Sequence, residues 1–192
     1  MNAMTWFDHE TESTWSQPVG LSFRGPLQGT QLELLPFQLT TWSNWSENYP
    51  QTLVMINDVD RLGNSRQGFR PDYVVGLVLG NIAKAYYYED AAAARIINDN
   101  LAGNPVVLWA EENNFTAYIR KHGDQTLTFA LEGGEIIDLE TGSVWDLRRG
   151  LAKDGPLAGK GLQPVPSLSS FDWAFEDFYP NGDFYQSKLK NE

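Results

Sequence analysis

The stretch Asp8-His9-Glu10-Thr11-Glu12-Ser13-Thr14-Trp15 is written a second time, 130 residues later, as Asp138-Leu139-Glu140-Thr141-Gly142-Ser143-Val144-Trp145. The register then holds without a gap from Asp8 to Pro50 and from Asp138 to Pro180. It aligns Gly20/Gly150, Leu21/Leu151, Gly25/Gly155, Pro26/Pro156, Leu27/Leu157, Gly29/Gly159, Leu32/Leu162, Pro36/Pro166, Tyr49/Tyr179 and Pro50/Pro180. Fifteen of 43 positions are identical, where unrelated segments of this composition would share only a few. A duplication means two copies of one unit that bury their apolar faces together. The copies differ in what leads into them. Tyr73 to Ile137, 65 residues, read as the front of the second copy's domain, whereas the first copy begins almost at Met1. The first repeat is therefore expected to lack its front half.

Both copies share a local grammar. A strand ending at Asp8 or Asp138 meets a polar turn, Trp15 or Trp145 anchors the next strand, and a Gly-Pro-Leu-x-Gly loop follows. Leu39 to Tyr49 and Phe171 to Tyr179 are dense in aromatics, with Trp42/Trp45 and Phe171/Phe175/Phe178 at helical spacing. A short amphipathic helix stopped by Pro50 or Pro180 fits each. Ahead of the second copy, Val74 to Leu79 and Ile82 to Tyr88 flank Gly80-Asn81, which reads as a tight hairpin. Glu89-Asp90 before four alanines and Arg95 suits a short helix. Strands at Val106 to Ala110, Phe115 to Lys121, Thr126 to Leu131 and Glu135 to Leu139 complete a meander of about six strands. The expected fold is α+β, mainly β: two homologous β-meander or barrel-like repeats with short helices, the first incomplete. Residues 1–56 hold the back half of the first repeat, 57–72 a linker, 73–182 the second repeat and 183–192 a polar C-terminal tail.

Composition narrows the partners. The chain has 192 residues, 42% hydrophobic, with 25 aromatic side chains, ample for a shared core. Its longest apolar stretch, Tyr73 to Tyr88, is broken by Gly76, Gly80, Asn81 and Lys84 and falls short of the roughly 20 residues a membrane helix needs. Membrane insertion is not expected. Met1 to Glu10 carries no signal-peptide pattern, and the compartment stays open. A net charge of −11 repels nucleic-acid phosphates and anionic membrane surfaces, so neither is an expected partner. The absence of cysteine removes disulfides, zinc–thiolate sites and thiol nucleophiles.

The strings Glu10-Thr11-Glu12-Ser13-Thr14-Trp15-Ser16-Gln17, Gly25-Pro26-Leu27-Gln28-Gly29-Thr30, and Leu39-Thr40-Thr41-Trp42 through Tyr49-Pro50-Gln51-Thr52-Leu53-Val54 resemble the uncharacterised family called domain of unknown function 3179. Val75-Gly76-Leu77, Ala83-Lys84-Ala85-Tyr86, Ile97-Asn98-Asp99 and Gly103-Asn104-Pro105-Val106-Val107 are similar to its second repeat. The resemblance implies a two-repeat protein whose first repeat opens with a hairpin and a Cys-Pro-Leu-Cys motif, neither of which this chain carries. The second repeat reads Ala110-Glu111-Glu112-Asn113-Asn114 after Trp109, so no thiol pair is carried over. The family supplies no activity to transfer.

Each candidate chemistry has a blander competitor. Asp8, Glu10, Asp138 and Glu140 are repeated carboxylates, the residue type of glycoside hydrolysis. Their place in a Glu-Thr-x-Ser turn favours side-chain-to-backbone hydrogen bonding, and with Trp15 and Trp145 they form a repeated structural motif. His9 lies between Asp8 and Glu10, but neighbours on a strand point to opposite faces and cannot chelate one metal together. Asp58 to Phe69 starts like a calcium loop and lacks its closing glutamate. Gly20 to Gly25 misses the serine nucleophile elbow because Arg24 stands where glycine is required. Asn44-Trp45-Ser46 and Asn114-Phe115-Thr116 match the glycosylation sequon. Trp42, Trp45 and Trp173 are the candidate ligand-binding residues, with core anchoring as their alternative.

No catalytic constellation, cofactor motif or metal set emerges, so neither a cofactor nor a metal is assigned. Function is open among three classes. A non-catalytic ligand-binding or structural module leads, its small-molecule ligand unknown. An enzyme using carboxylates of an inter-repeat cleft, with Asp8 or Asp138 facing Glu111 or Glu112, comes second; a truncated fragment of a cysteine-dependent protein is third. Exposed strand edges on the incomplete repeat would promote self-association.

Overall fold

The computed structural model of the protein describes residues 4–54 and 71–186. In the first copy, β1 (Thr5–Phe7), β2 (Thr14–Ser16) and β3 (Ser22–Arg24) form an antiparallel three-stranded sheet. An extended segment then leads to α1 (Trp42–Asn48), capped by Thr41, whose Oγ1 accepts the Asn44 N–H. Such a cap satisfies one of the donors a helix start leaves open.

The front of the second repeat starts with a hairpin of β4 (Tyr73–Leu79) and β5 (Ile82–Tyr87), turned by Gly80 at φ +60°. α2 (Tyr88–Ala94) follows with Glu89 and Asp90 in its first turn, where carboxylates favour the helix dipole. β6 (Ile96–Leu101), β7 (Asn104–Glu111) and β8 (Asn114–Ile119) make an antiparallel meander, and β9 (Lys121–His122) and β10 (Gln125–Thr126) a small hairpin. β11 (Phe129–Glu132), β12 (Glu135–Asp138), β13 (Val144–Asp146) and β14 (Leu151–Asp154) form a third sheet. The chain then returns across the front. β15 (Gln163–Pro164) pairs with β8, β16 (Ser167–Phe171) pairs with β4, and α3 (Asp172–Phe178) precedes β17 (Asp183–Phe184), which adds to β5 in parallel.

The mainly β, α+β architecture is as the residue pattern dictates, but among the described residues the sheets stay open and do not close into a barrel. The larger ones hold four strands, in the orders β16-β4-β5-β17, β15-β8-β7-β6 and β11-β12-β13-β14. Small closed barrels take about eight strands. The polar tail expected from residue 183 is also corrected. Asp183–Phe184 is a strand, and Tyr185 stacks on Tyr86 at 5.3 Å. Two adjacent aromatics outweigh the polar residues around them. The expected linker lies almost wholly outside the described residues, as does the Asp58 to Phe69 stretch.

The two copies fold alike. Trp6 pairs with Trp15 and Ile136 with Trp145; Thr14 pairs with Arg24 and Val144 with Asp154. A register shift follows Thr14 in one copy and Val144 in the other. α1 and α3 are offset by the same 130 residues as the sequences. Burial separates them. In the second copy Trp145, Leu147, Ala152, Leu157 and Leu162 pack under Val107, Trp109 and Tyr118 of β7 and β8. Leu162 is 8% exposed and Val165 1%, whereas their counterparts Leu32 and Leu35 are 46% and 66% exposed.

Candidate functional site

The identical residues of the two copies build a hydrogen-bonded clasp. Asp8 Oδ1 accepts the Glu10 and Thr11 N–H groups, and Asp138 Oδ1 accepts the Thr141 N–H. The Thr11 and Thr141 hydroxyls donate to Asp8 Oδ2 and Asp138 Oδ2. Ser13 and Ser143 accept the N–H of Leu27 and Leu157 at 3.1 and 3.0 Å, tying the turn to the Gly-Pro-Leu loop. Gly25 and Gly155 are glycine because a Cβ there would stand 2.7 Å from the serine Cα, at φ +100° and +89°. These hydrogen bonds to the charged form, the Thr11 hydroxyl first, hold the Asp8 carboxyl below its usual range. Asp138 is fully buried and also takes the Trp145 Nε1–H at 2.8 Å. Glu140 Oε2 accepts the Thr128 N–H, while Glu10 is exposed.

Asp8, Asp138 and Glu111 of the supposed inter-repeat cleft each have partners of their own. Among the described residues, no hydrogen bond or ion pair joins Asp8 or Asp138 to Glu111 or Glu112. Glu111 pairs instead with Arg95 and Arg148. Among the same residues no group of three or more His, Asp or Glu side chains is placed to hold a metal ion. Ser22, of the near-miss elbow, is buried. A half-buried cluster lies elsewhere: Lys84 Nζ is 2.6 Å from Asp99, which also accepts the Tyr86 hydroxyl. Burial works to raise the Asp99 pKa, but Lys84, the Asn100 N–H and Tyr86 outweigh it and hold the carboxyl low.

The aromatic candidates are spread over the two helices. Trp42 and Trp173 are 59% and 48% exposed, and Trp173 stacks on Phe171 at 5.9 Å. Trp45 is half-buried against Tyr49 at 4.3 Å, its Nε1–H donated to Thr52 Oγ1. None of the three lines a groove of about 580 Å³ between the copies. One wall is first-copy surface, with Trp6, Val19, Gly20, Leu32 and Leu34. The other is the β4–β5 tip and the end of α3, with Val78, Ala83, Phe178 and Tyr179. Glu33 is the one charged lining residue among those described.

The second copy explains the groove. Gly150 lies directly under the Tyr118 ring, so close that a Cβ would be 2.5 Å from Tyr118 Cε1. Gly20 has the same backbone, φ +63° against +64°, but the nearest atoms a Cβ there would meet belong to Leu32 and Gln31. Where β8 lays a tyrosine on the second copy, Gly20 of the first lines the groove formed by the described residues. Reading single residues for chemistry overlooks this site. The signal was the alignment of Gly20 with Gly150, which marks a backbone position built for a close neighbour.

The comparisons agree with the duplication. No curated protein and no solved structure matches the chain. One family profile matches it twice, over residues 1–73 and 63–182, together spanning nearly the whole sequence. Two consecutive matches to a single profile, on copies that share register, clasp and helix, place this chain in the family described as Protein of unknown function (DUF3179).

Proposed function

We propose that the protein is a non-catalytic binding module and that its ligand lies in the groove between the copies. The observation that carries this is the groove itself. Its volume falls in the roughly 300–1,000 Å³ range of ligand sites, with mainly apolar walls and a few polar groups. The repeated carboxylates, by contrast, serve their own turns. Glu33 in an acidic chain favours a neutral or cationic apolar ligand over an anionic one. Trp42 and Trp173 offer a second, shallow aromatic surface, supported by their exposure and by the flat stacking of Trp173 on Phe171.

Nile red, a neutral solvatochromic dye, tests the groove. Its emission should rise and shift to the blue with the wild-type chain, and Leu34→Glu, at a half-exposed lining position, should abolish the response. A dye signal unchanged by Leu34→Glu, or no signal at all, refutes the proposal. Trp42→Ala run in parallel reports on the aromatic surface.

A further inference from the structure

We propose that Asn181 is a site of spontaneous covalent modification, and that its conversion to isoaspartate releases β17 from the β4–β5 sheet. The inference stands whatever the groove holds. Asn181-Gly182 is the one place in the chain where asparagine precedes glycine. Glycine has no side chain to keep its nitrogen from the carbonyl carbon of the side chain before it. The fold itself demands that glycine. A Cβ at position 182 would stand 2.8 Å from Cε1 of Phe175, a ring that is 1% exposed. At the equivalent place the first copy reads Gln51-Thr52, whose longer side chain and β-branched neighbour both hinder ring closure.

The reaction needs water alone. The Gly182 nitrogen gives up its proton to hydroxide and attacks Asn181 Cγ; the new C–N bond displaces the side-chain amide, which takes a proton from water and leaves as ammonia. Water then opens the five-membered imide. Breaking its bond between the main-chain carbonyl carbon and nitrogen gives isoaspartate, and breaking the bond at Cγ gives aspartate. Both products carry a new carboxylate, but only isoaspartate routes the main chain through Cγ and lengthens it by one CH2.

The native turn opposes the first step. Tyr179-Pro180-Asn181-Gly182 is closed by the Gly182 N–H, donated to the Tyr179 carbonyl at 2.7 Å, and φ of Asn181 is not positive, which makes the turn type I. Such a turn holds ψ of its third residue at roughly 0° and points the Gly182 nitrogen away from the Asn181 side chain. Conversion therefore proceeds through local openings, and little holds β17 against them. Asp183 and Phe184 pair with Lys84 and Ala85, the Tyr185 N–H reaches the Ala85 carbonyl, and the Phe184 and Tyr185 rings add their contacts. With one more main-chain atom, the isoaspartyl chain cannot set Gly182 on Tyr179 and Asp183 opposite Lys84 at once. β17 comes away, and Tyr185 uncovers Tyr86.

The intact protein is held at mildly alkaline pH, and peptide mass mapping with isoaspartate detection follows residue 181. A capped peptide of Phe178 to Gln186 reports the unrestrained rate. Conversion in the intact protein is expected to be at least tenfold slower than in the peptide. Phe184→Ala, which removes the ring packed on Tyr87 and Phe175, should speed it at least threefold, and Tyr185→Ala takes its place if that variant fails to fold. Asn181→Gln should not convert. Hydrogen exchange then reads the Tyr185 N–H, expected to lose its protection in the isoaspartyl product and to keep it in Asn181→Asp, which adds the charge without lengthening the chain. No conversion of the intact protein, conversion as fast as in the peptide, or a rate indifferent to the ring substitutions overturns the assignment of the site and its control by the turn. A protected Tyr185 N–H in the isoaspartyl protein refutes the release of β17, and equal loss of protection in Asn181→Asp refutes the lengthened chain as its cause.

Discussion

The same substitution made at two equivalent positions should have two different costs. Gly20 and Gly150 share a left-handed backbone, so alanine at either carries a conformational penalty of about 1–2 kcal/mol. Restriction of the unfolded chain offsets about 0.4–1 kcal/mol in both variants and cancels in the comparison. The remainder is steric. At position 150 the new methyl would stand 2.5, 2.7 and 3.0 Å from Tyr118 Cε1, Cζ and Cδ1. That ring cannot swing away. It is packed among Trp109, Leu147 and Leu162, and its hydroxyl reaches the Arg148 carbonyl. Overpacking of this kind costs about 1–3 kcal/mol. At position 20 the nearest atom is Leu32 Cβ at 3.1 Å, on a half-exposed side chain that can shift by the few tenths of an ångström required. Gly150→Ala is therefore expected to be less stable than Gly20→Ala by about 1–3 kcal/mol. Urea unfolding followed by tryptophan fluorescence measures this as a lower midpoint at unchanged slope. Equal midpoints for the two variants, or a lower one for Gly20→Ala, would refute the account of why one copy has a groove and the other does not.

Other outcomes follow from the same pairing of copies. Val165→Ala, at a buried site, should lower stability by about 1–3 kcal/mol, whereas Leu35→Ala at its exposed counterpart should stay within about 0.5 kcal/mol of wild type by calorimetry. Asp138→Ala orphans the Trp145 Nε1–H and the Thr141 N–H and should cost about 2–4 kcal/mol, with loss of the Trp145 near-ultraviolet circular dichroism. Asp8→Ala should cost less, because water can reach its half-exposed partners. The Asp99 carboxyl is held below its unfolded value of about 3.9, so its contribution is present above that pH and is lost as pH falls through the lower folded value. Asp99→Asn should flatten that acid limb in pH-dependent melts. Burial pushes the Tyr118 hydroxyl up to about 12, so in an alkaline absorbance titration Tyr118→Phe should remove a late-ionising group and leave the early ones.

What the sequence revealed, and what it did not, divides along a physical line. Duplication, strand content, the Gly80-Asn81 hairpin and the two helices before Pro50 and Pro180 all rest on local preference or on self-similarity, and both are written into adjacent residues. That the sheets stay open was not legible, because closure depends on how many strands meet and at what tilt. The role of Asp183 to Tyr185 was missed because polar neighbours masked two aromatics that dock far away in sequence, on β5 and Tyr86. The groove was overlooked for a related reason. Gly20 looks like an ordinary turn glycine until Gly150 is seen beneath the ring of a residue 32 positions earlier. Trp42, Trp45 and Trp173 stood out by residue type, and side-chain type says little about concavity.

Asn114 bears on how this protein can be produced. Its side chain is buried, donates Nδ2–H to the Glu111 and Glu112 carbonyls, and accepts the Thr41 N–H at 2.9 Å, pinning the first copy to the β7–β8 turn. Asn114-Phe115-Thr116 is also an acceptor sequon, and oligosaccharide is attached to such sites while a secreted chain is still extended. A glycan there would occupy the nitrogen that closes the turn and could not be accommodated inside the fold. Expression through a secretory pathway that glycosylates asparagine should therefore yield retained or misfolded material, rescued by Thr116→Val at the cost of the hydroxyl's bond to the Leu147 carbonyl, whereas a host without that machinery has no such obstacle.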